Sequence, residues 1–203
     1  MPVTPFHFGP GAAIKAVIPH HFSFTLFCFA QVVTDCETAY HMVRHEYPLH
    51  RWMHTYAGAT AVALFCIVVG RPICQAFLRG WRAWPDAPFK PYFPVGGQIS
   101  LPSAIIAAFA GTYSHVFLDS IMHPDVQPFQ PWSSHNPSFG IIGLFALHGL
   151  CVLLGVAGGL YVAYQATATR RVLTSQMTKP LSLRAMLALG SRSSSWSRRC
   201  NAT

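Results

Sequence analysis

Charged residues are scarce in this chain, and acidic residues are the scarcest of all. The 203 residues include 14 Lys and Arg but only 6 Asp and Glu, so that 10% of the chain is charged while 52% is hydrophobic. This composition lies well outside the usual range of soluble domains. It indicates a membrane protein.

The chain also lacks the patterns of a cysteine-based fold or of a β-sheet. No two cysteines form a CxxC pair, which argues against a disulfide framework and against a thiolate zinc site. No internal repeat and no alternation of polar and apolar residues is present, so we expect helices throughout. The six cysteines are therefore predicted to be small core residues: Cys28, Cys36, Cys66, Cys74, Cys151 and Cys200.

Long apolar runs are what the sequence does contain. Uncharged stretches cover residues 16–34, 55–70, 101–118 and 138–169, and several approach the ~20 residues that a spanning helix needs. The alternative is a set of buried helices in a soluble all-α protein, against which the length of the last stretch argues most strongly. We predict an all-α integral membrane bundle of about five helices, with a short N-terminal helical hairpin and three longer helices.

Pro19 interrupts the first apolar run, and this break fixes the expected hairpin. A proline inside a helix removes a hydrogen bond and clashes with the preceding turn, so we expect one helix over residues 10–18 and another over 21–34. A hairpin of this kind places His7 and Asp35 at the same end. One straight helix would place them on opposite sides of a bilayer.

The remaining elements follow from the prolines and the apolar runs. We expect a helix from His50 to about Gly70, and then a proline-rich cationic connection over residues 71–100. A helix over residues 102–122, a loop to Pro137 and a last membrane helix ending near Ala166 complete the bundle.

Basic residues are concentrated in two places, which predicts how the chain is oriented. The 71–100 connection and the tail together hold eleven Lys and Arg, and the positive-inside rule assigns both to the cytoplasm. The domain boundaries are set at residues 1–168 for the membrane-embedded part and 169–203 for a disordered, lipid-facing tail. We predict membrane lipid as a partner and no nucleic acid, since nothing resembles a base-reading motif. The eleven residues are Arg71, Arg79, Arg82, Lys90, Arg170, Arg171, Lys179, Arg184, Arg192, Arg198 and Arg199.

Five of the six acidic residues fall in two short windows that are also rich in histidine. Carboxylates and imidazoles among apolar helices are costly unless they are paired or bind a cation. A bound divalent metal is the simplest reason for their confinement. The five are Asp35, Glu37, Glu46, Asp119 and Asp125.

Helical spacing within these windows indicates ligands that share a face. His50 and His54 stand four residues apart, and His115, Asp119 and His123 repeat the i, i+4, i+8 spacing. The alternative for the second stripe is a hydrogen-bonded polar seam between helices. Five other histidines are expected at turns, at interfaces or in such a seam: His20, His21, His41, His45 and His148.

The same segments resemble, in order, the motifs of bacterial membrane-bound metal-dependent hydrolases. That family shows an early His, an acidic pair, an H-R-x-x-T-H-S-like segment and an S-H-x-x-x-D stretch, and more distantly the pattern is similar to zinc-dependent phospholipase C. Thr34 stands where a proline is expected, Glu37 replaces an Asp, and Met53-His54-Thr55 replaces T-H-S. The matching segments are TPFHFG at 4–9, DCE at 35–37, HRWMHT at 50–55, GTYSHVFLD at 111–119 and HP at 123–124.

The resemblance implies a membrane-bound metal-dependent hydrolase of phosphoesters, with lipids or lipid-linked molecules as the expected substrates. Mixed nitrogen and oxygen ligands suit Zn²⁺, Mn²⁺ or Fe²⁺, and zinc is the default. Glu37 or Asp125 is the expected general base. Arg51 is expected to clamp phosphate, or equally to pair with Glu46. The candidate metal ligands are His7, Asp35, His50, His54, His115, Asp119 and His123.

Two other functions stay open at the level of the sequence. The metal could fix helix packing in a non-catalytic membrane protein whose cytoplasmic tail docks a partner. A metal or proton pathway would need polar residues through the membrane, and only His148 interrupts the last helix. For the hydrolase we expect the bacterial inner membrane, with the metal site on the exterior face.

Overall fold

The computed structural model describes residues 5–84 and 98–177, and the regular structure in those ranges is helical. The helices are α1 (Phe8–Val17), α2 (Phe24–Val43), α3 (Tyr56–Ala83), α4 (Leu101–Met122) and α5 (Leu144–Met177). Short 3₁₀ turns over Pro5–His7 and Trp52–His54 precede α1 and α3. The predicted all-α class with about five helices is confirmed.

Three of these helices are long and apolar enough to cross a membrane. They are Tyr56–Ala83, Leu101–Met122 and Leu144–Val172. Their length and composition support a membrane protein, as the composition of the whole chain predicts. The chain divides into one compact unit up to Ala166 and a second one from Thr167. The predicted disorder of the tail falls mainly on residues 178–203, outside the described residues.

The N-terminal hairpin is present, with Pro19 between its two arms. The Lys15 ammonium donates hydrogen bonds to the carbonyls of Pro19 and Phe22, which closes the turn. Ser23 caps the start of α2 by accepting from the backbone N–H of Leu26 at 3.3 Å.

The second arm is longer than expected, so the acidic pair does not close the hairpin. α2 continues to Val43, and Asp35 and Glu37 lie inside it. No proline or glycine occurs between Phe24 and Val43, so nothing in the backbone ends the helix at residue 34.

α3 differs from the prediction at both ends. It begins at Tyr56, where the Thr55 hydroxyl accepts from the N–H of Gly58 at 2.9 Å, and His50 lies outside it. It also passes Gly70 through a π-helical segment over Cys66–Gly70 and continues to Ala83, so the first 13 residues of the expected cationic connection are helical. Pro72 is tolerated because the α-helical ladder is already interrupted there. The prolines at 85, 88, 91 and 94 lie outside the described residues.

The last two helices are close to their expected positions. α4 covers Leu101–Met122, within one residue of the predicted start. α5 begins at Leu144 rather than at Ser138 and runs past residue 166 to Met177.

α2 and α4 pack closely, and this contact positions the centre described below. A Cβ on Gly111 would lie 2.9 Å from the carbonyl oxygen of Phe27 and 3.0 Å from the Cβ of Ala30. Small residues permit such close approach between helices. One turn further along both helices, His115 lies beside Gln31 and Asp35, so α2 and α4 run parallel here.

We predict that Gly58→Ala disturbs the turn that carries His54. A Cβ on Gly58 would lie 1.9 Å from the carbonyl oxygen of Trp52, so that the Trp52–His54 turn must move. The expected cost is about 1–3 kcal/mol of stability, with weaker metal binding, measured by thermal unfolding in detergent and by zinc titration. Gly80→Ala is the matched control, because a Cβ there meets nothing within 4 Å. Equal behaviour of the two variants would contradict the prediction.

Candidate metal centre

Four buried side chains from three segments bring their donor atoms together beside the C-terminal halves of α2 and α4. Asp35 comes from α2, His54 from the turn before α3, and His115 and Asp119 from α4. One ligand atom of each lies within 4.8 Å of all the others. His54 and His115 are 0% exposed and Asp119 is 3% exposed, so this group, the primary cluster, is closed to bulk water.

Distances within the primary cluster converge on the Asp119 carboxylate. Its Oδ2 lies 3.1 Å from Nε2 of His115 and 3.4 Å from Nε2 of His54. The same Nε2 of His115 is 3.3 Å from Oδ1 of Asp35. Two carboxylates and two imidazoles therefore face a common point.

His7 approaches the primary cluster from the N-terminal hairpin. Its Nε2 is 3.5 Å from Oδ1 of Asp119, and its Nδ1 is 3.3 Å from Nδ1 of His115. Burial lowers the pKa of His7 to about 4, against the opposing charge of Asp119. The imidazole is therefore neutral at pH 7, which is the form that binds metal.

Two of these nitrogens have no hydrogen-bond partner. Nε2 of His7 and Nε2 of His115 are buried and unsatisfied, although carboxylate oxygens lie 3.5 Å and 3.1 Å away. Leaving a buried polar atom unpaired costs ~1–3 kcal/mol. A divalent cation between the imidazoles and the carboxylates removes this cost, so the residues fit a metal ion in composition and placement.

Glu37 orients His54 from the side away from the cluster. Its Oε2 accepts from Nδ1 of His54 at 3.2 Å and from the backbone N–H groups of Arg51 and Met53 at 3.2 and 2.9 Å. Burial alone would raise the pKa of Glu37, but the hydrogen bonds from His54 and Met53 hold it below its usual value. Glu37 is therefore ionised, and Nε2 of His54 faces Asp119. Metal-binding histidines are commonly oriented in this way.

Gln31 orients His115 in the same way, although it is not among the residues that the sequence pattern predicts for the site. Oε1 of Gln31 accepts from Nδ1 of His115, while its Nε2 donates to the carbonyl of His7 and to Oγ of Ser114, both at 3.3 Å. The available signal was an amide in an apolar run, one turn before Asp35 on the same face of α2.

A second group lies beside the first and is less buried. His50, His123 and Asp125, the secondary cluster, also bring one donor atom each within 4.8 Å of one another. Nδ1 of His50 is 3.0 Å from Oδ1 of Asp125. The rings of His50 and His123 stack with centroids 4.4 Å apart. Burial lowers the pKa of both histidines.

The structure thus divides each of the two predicted sets of ligands between the clusters. His54, His115 and Asp119 belong to the primary cluster, whereas His50 and His123 belong to the secondary cluster. His123 follows the last helical residue of α4 in an extended conformation, so its side chain leaves the face of His115 and Asp119. His50 and His54 do not share a helix either, since His54 is the last residue of the 3₁₀ turn Trp52–His54 and His50 lies in the loop before that turn. Their rings still touch edge to face, with centroids 4.7 Å apart.

Arg51 lies outside both clusters in a surface ion pair. Its guanidinium is 3.3 Å from Oε2 of Glu46. The same carboxylate is contacted by Nδ1 of His41, 2.8 Å from Oε2, and by Nε of Arg44, 3.4 Å from Oε1. Of the two roles expected for Arg51, the structure contains the ion pair. His148 contacts the ring of Phe6, with centroids 4.6 Å apart, and belongs to neither cluster.

Comparison with protein-family models, with curated proteins and with solved structures returned no match for this chain. The fold and the site therefore define its class by themselves: a helical chain with three membrane-spanning candidates and a buried His/Asp cluster that could hold a metal ion. The resemblance of its motifs to metal-dependent hydrolases stays a prediction.

We predict that His115→Ala and Asp119→Ala each remove most of the metal bound to the primary cluster. Both side chains contribute atoms to the shared point, and Asp119 faces three imidazoles. Metal content of the purified, zinc-loaded protein measures the effect. His20→Ala, an exposed position on the hairpin turn, should retain the wild-type content. Full retention in both cluster variants would contradict the assignment.

Gln31→Leu should weaken metal binding while leaving every cluster side chain in place. The substitution keeps a similar volume but leaves Nδ1 of His115 without its acceptor, so the ring loses its orientation. Such outer partners commonly contribute ~10–100-fold in metal affinity, measurable by competition with a zinc chelator. Val32→Leu, at an exposed neighbouring position on α2, is the control. Unchanged zinc affinity in Gln31→Leu would rule out an orienting role.

Proposed function

We propose that this protein is a membrane-bound, metal-dependent hydrolase of phosphoesters, with lipid or lipid-linked molecules as substrates. The observation that carries the proposal is the pair of buried, unsatisfied imidazole nitrogens facing Asp35 and Asp119. The resemblance of the chain's motifs to metal-dependent hydrolases is consistent with this chemistry.

The primary cluster would hold the ion through Asp35, His54, His115 and Asp119, with His7 at its edge. A bound divalent ion, most simply zinc, lowers the pKa of a bound water and polarises a phosphoryl oxygen. Glu37 and Gln31 hold Nδ1 of His54 and of His115, which leaves each Nε2 directed at the common point where an ion would bind. With three donors on one oxygen, Glu37 suits this orienting role better than that of a free general base.

The end of the bundle that carries the clusters suits a substrate at the membrane surface. The loop after Asp125 presents Phe129 and Trp132, which are 42% and 81% exposed. The backbone N–H of Tyr56 donates to the carbonyl of Pro128 at 2.8 Å, which ties this loop to the start of α3. Exposed aromatics of this kind sit at headgroup level in membrane proteins.

Arg51 is our candidate to bind the substrate phosphate. Its backbone is fixed by Glu37, but its side chain is 38% exposed and paired with a half-exposed Glu46. Exposed ion pairs contribute little stability, so a phosphate can replace the carboxylate at small cost. The planar guanidinium then offers two parallel donors.

A structural metal is the second candidate function, and the burial of the primary cluster favours it. Four protein donors can fill the coordination shell of zinc, as they do in structural sites. Such a site would stabilise the α2–α4 contact without leaving a position for water. The two functions differ in whether the metal-loaded protein turns over a substrate.

The decisive experiment compares hydrolysis of lipid phosphoesters by zinc-loaded wild type and by Asp119→Ala in detergent. We expect turnover in the wild type and a loss of at least ~100-fold in the variant, since the ion is lost with its central ligand. Equal rates in the two proteins, or no turnover in either across a broad panel, would favour the structural function.

Arg51→Lys then tests the phosphate contact separately from metal binding. Lysine keeps the charge but not the two-pronged geometry, so we expect lower turnover at unchanged zinc content. Arg44→Lys is the matched control, because Arg44 pairs with the same Glu46 but is 60% exposed. Equal losses in the two variants would assign the effect to Glu46 rather than to a phosphate contact.

A further inference from the structure

We propose that the secondary cluster binds a second divalent cation, held by His50, His123 and Asp125 beside the primary cluster. The three residues come from two loops that are 75 residues apart in sequence and are joined at Asp125. Two imidazoles and a carboxylate form a donor set that suits zinc or manganese.

Asp125 is anchored in a way that leaves one oxygen for the ion. Its Oδ2 accepts from the backbone N–H groups of Leu49 and His50 at 3.0 and 3.2 Å. Its Oδ1 lies 3.0 Å from Nδ1 of His50. Ligands about 2.1 Å from one tetrahedral zinc ion stand about 3.4 Å apart, so a shift of a few tenths of an ångström would convert this hydrogen-bonded pair into two ligands of a shared cation.

A purely structural account explains Asp125 and His50 but not His123. The carboxylate caps one loop, and a hydrogen bond between the two side chains completes that role. Among the described residues, the His123 ring contacts the secondary cluster by stacking on His50 at 4.4 Å, and no described side chain hydrogen-bonds to its ring nitrogens. A cation gives this half-buried imidazole a partner.

The second cation would be the more exposed of the two. His123 is half-buried and Asp125 reaches the surface partly, whereas all four primary-cluster residues are buried. Three protein donors leave coordination positions for water, as in catalytic zinc sites. The contact between the His50 and His54 rings, with centroids 4.7 Å apart, makes the two cation sites neighbours.

This inference deepens the proposed function, and its catalytic meaning rests on it. Neighbouring pairs of divalent ions in phosphoesterases clamp the attacking and leaving oxygens of the phosphoryl group. The more open secondary cluster would then be the place where water and the phosphate enter. The binding of a second ion is itself independent of any activity.

The test is to count zinc ions in the full-length protein in detergent after equilibration with buffered zinc. We expect about two per chain in the wild type and about one in His123→Ala. His135→Ala, a substitution at an exposed histidine in the following loop, should keep two. Asp125→Asn serves as a second variant, since it retains an oxygen for the two backbone N–H groups, and it should weaken the second ion at least ~10-fold.

One ion in the wild type, or two ions in both His123→Ala and Asp125→Asn, would overturn the second site. Loss of the same ion in His135→Ala would also overturn it, because a non-specific surface histidine would then be responsible. Two ions in a wild type that hydrolyses no phosphoester would support this inference and reject the proposed hydrolase. Turnover by a wild type that binds a single ion would support the proposed hydrolase and reject the second cation site.

Discussion

The Asp119 carboxylate is the group on which the rest of this structure depends. It lies 3% exposed on an apolar helix, and it faces His7, His54 and His115 at 3.1–3.5 Å. A carboxylate in such surroundings is costly unless it is paired or bound to a cation. The hairpin, the turn before α3 and the tight α2–α4 contact all bring an imidazole or a second carboxylate to this one group. These contacts offset the energetic cost of burying the Asp119 carboxylate.

Around this carboxylate, the polar residues form two layers. The inner layer consists of the imidazole and carboxylate atoms that face the common point. The outer layer consists of Gln31 and Glu37, each of which contacts Nδ1 of one primary-cluster histidine and also binds backbone or neighbouring side-chain groups. Since one ring nitrogen is held by the outer layer, the other is directed inward. A hydrogen-bonded polar seam would satisfy both nitrogens of each ring, whereas here Nε2 of His7 and of His115 stays unsatisfied.

Local patterns predicted the parts of the site that one helix or one turn controls. The spacing of His115 and Asp119 placed them on one face of α4, and Pro19 predicted the hairpin that brings His7 near Asp119. The same patterns failed where a helix boundary mattered. His123 lies one residue beyond the end of α4, so the periodicity that holds for Asp119 does not extend to it. α2 continues to Val43 because neither proline nor glycine follows Thr34 within it, a feature that is visible in the sequence.

By itself, the sequence determined the all-α class, the membrane-spanning candidates and the confinement of acidic residues and histidines to two windows, because composition and short-range periodicity decide these. Only the tertiary structure decided how the histidines divide into two clusters and which residues orient them. His7 meets His115 across 108 residues of chain, and Gln31 meets it across 84. Contacts over such separations arise from how helices pack, which depends on small residues such as Gly111 and on where each helix ends. Neither property can be derived from the spacing of the ligands themselves.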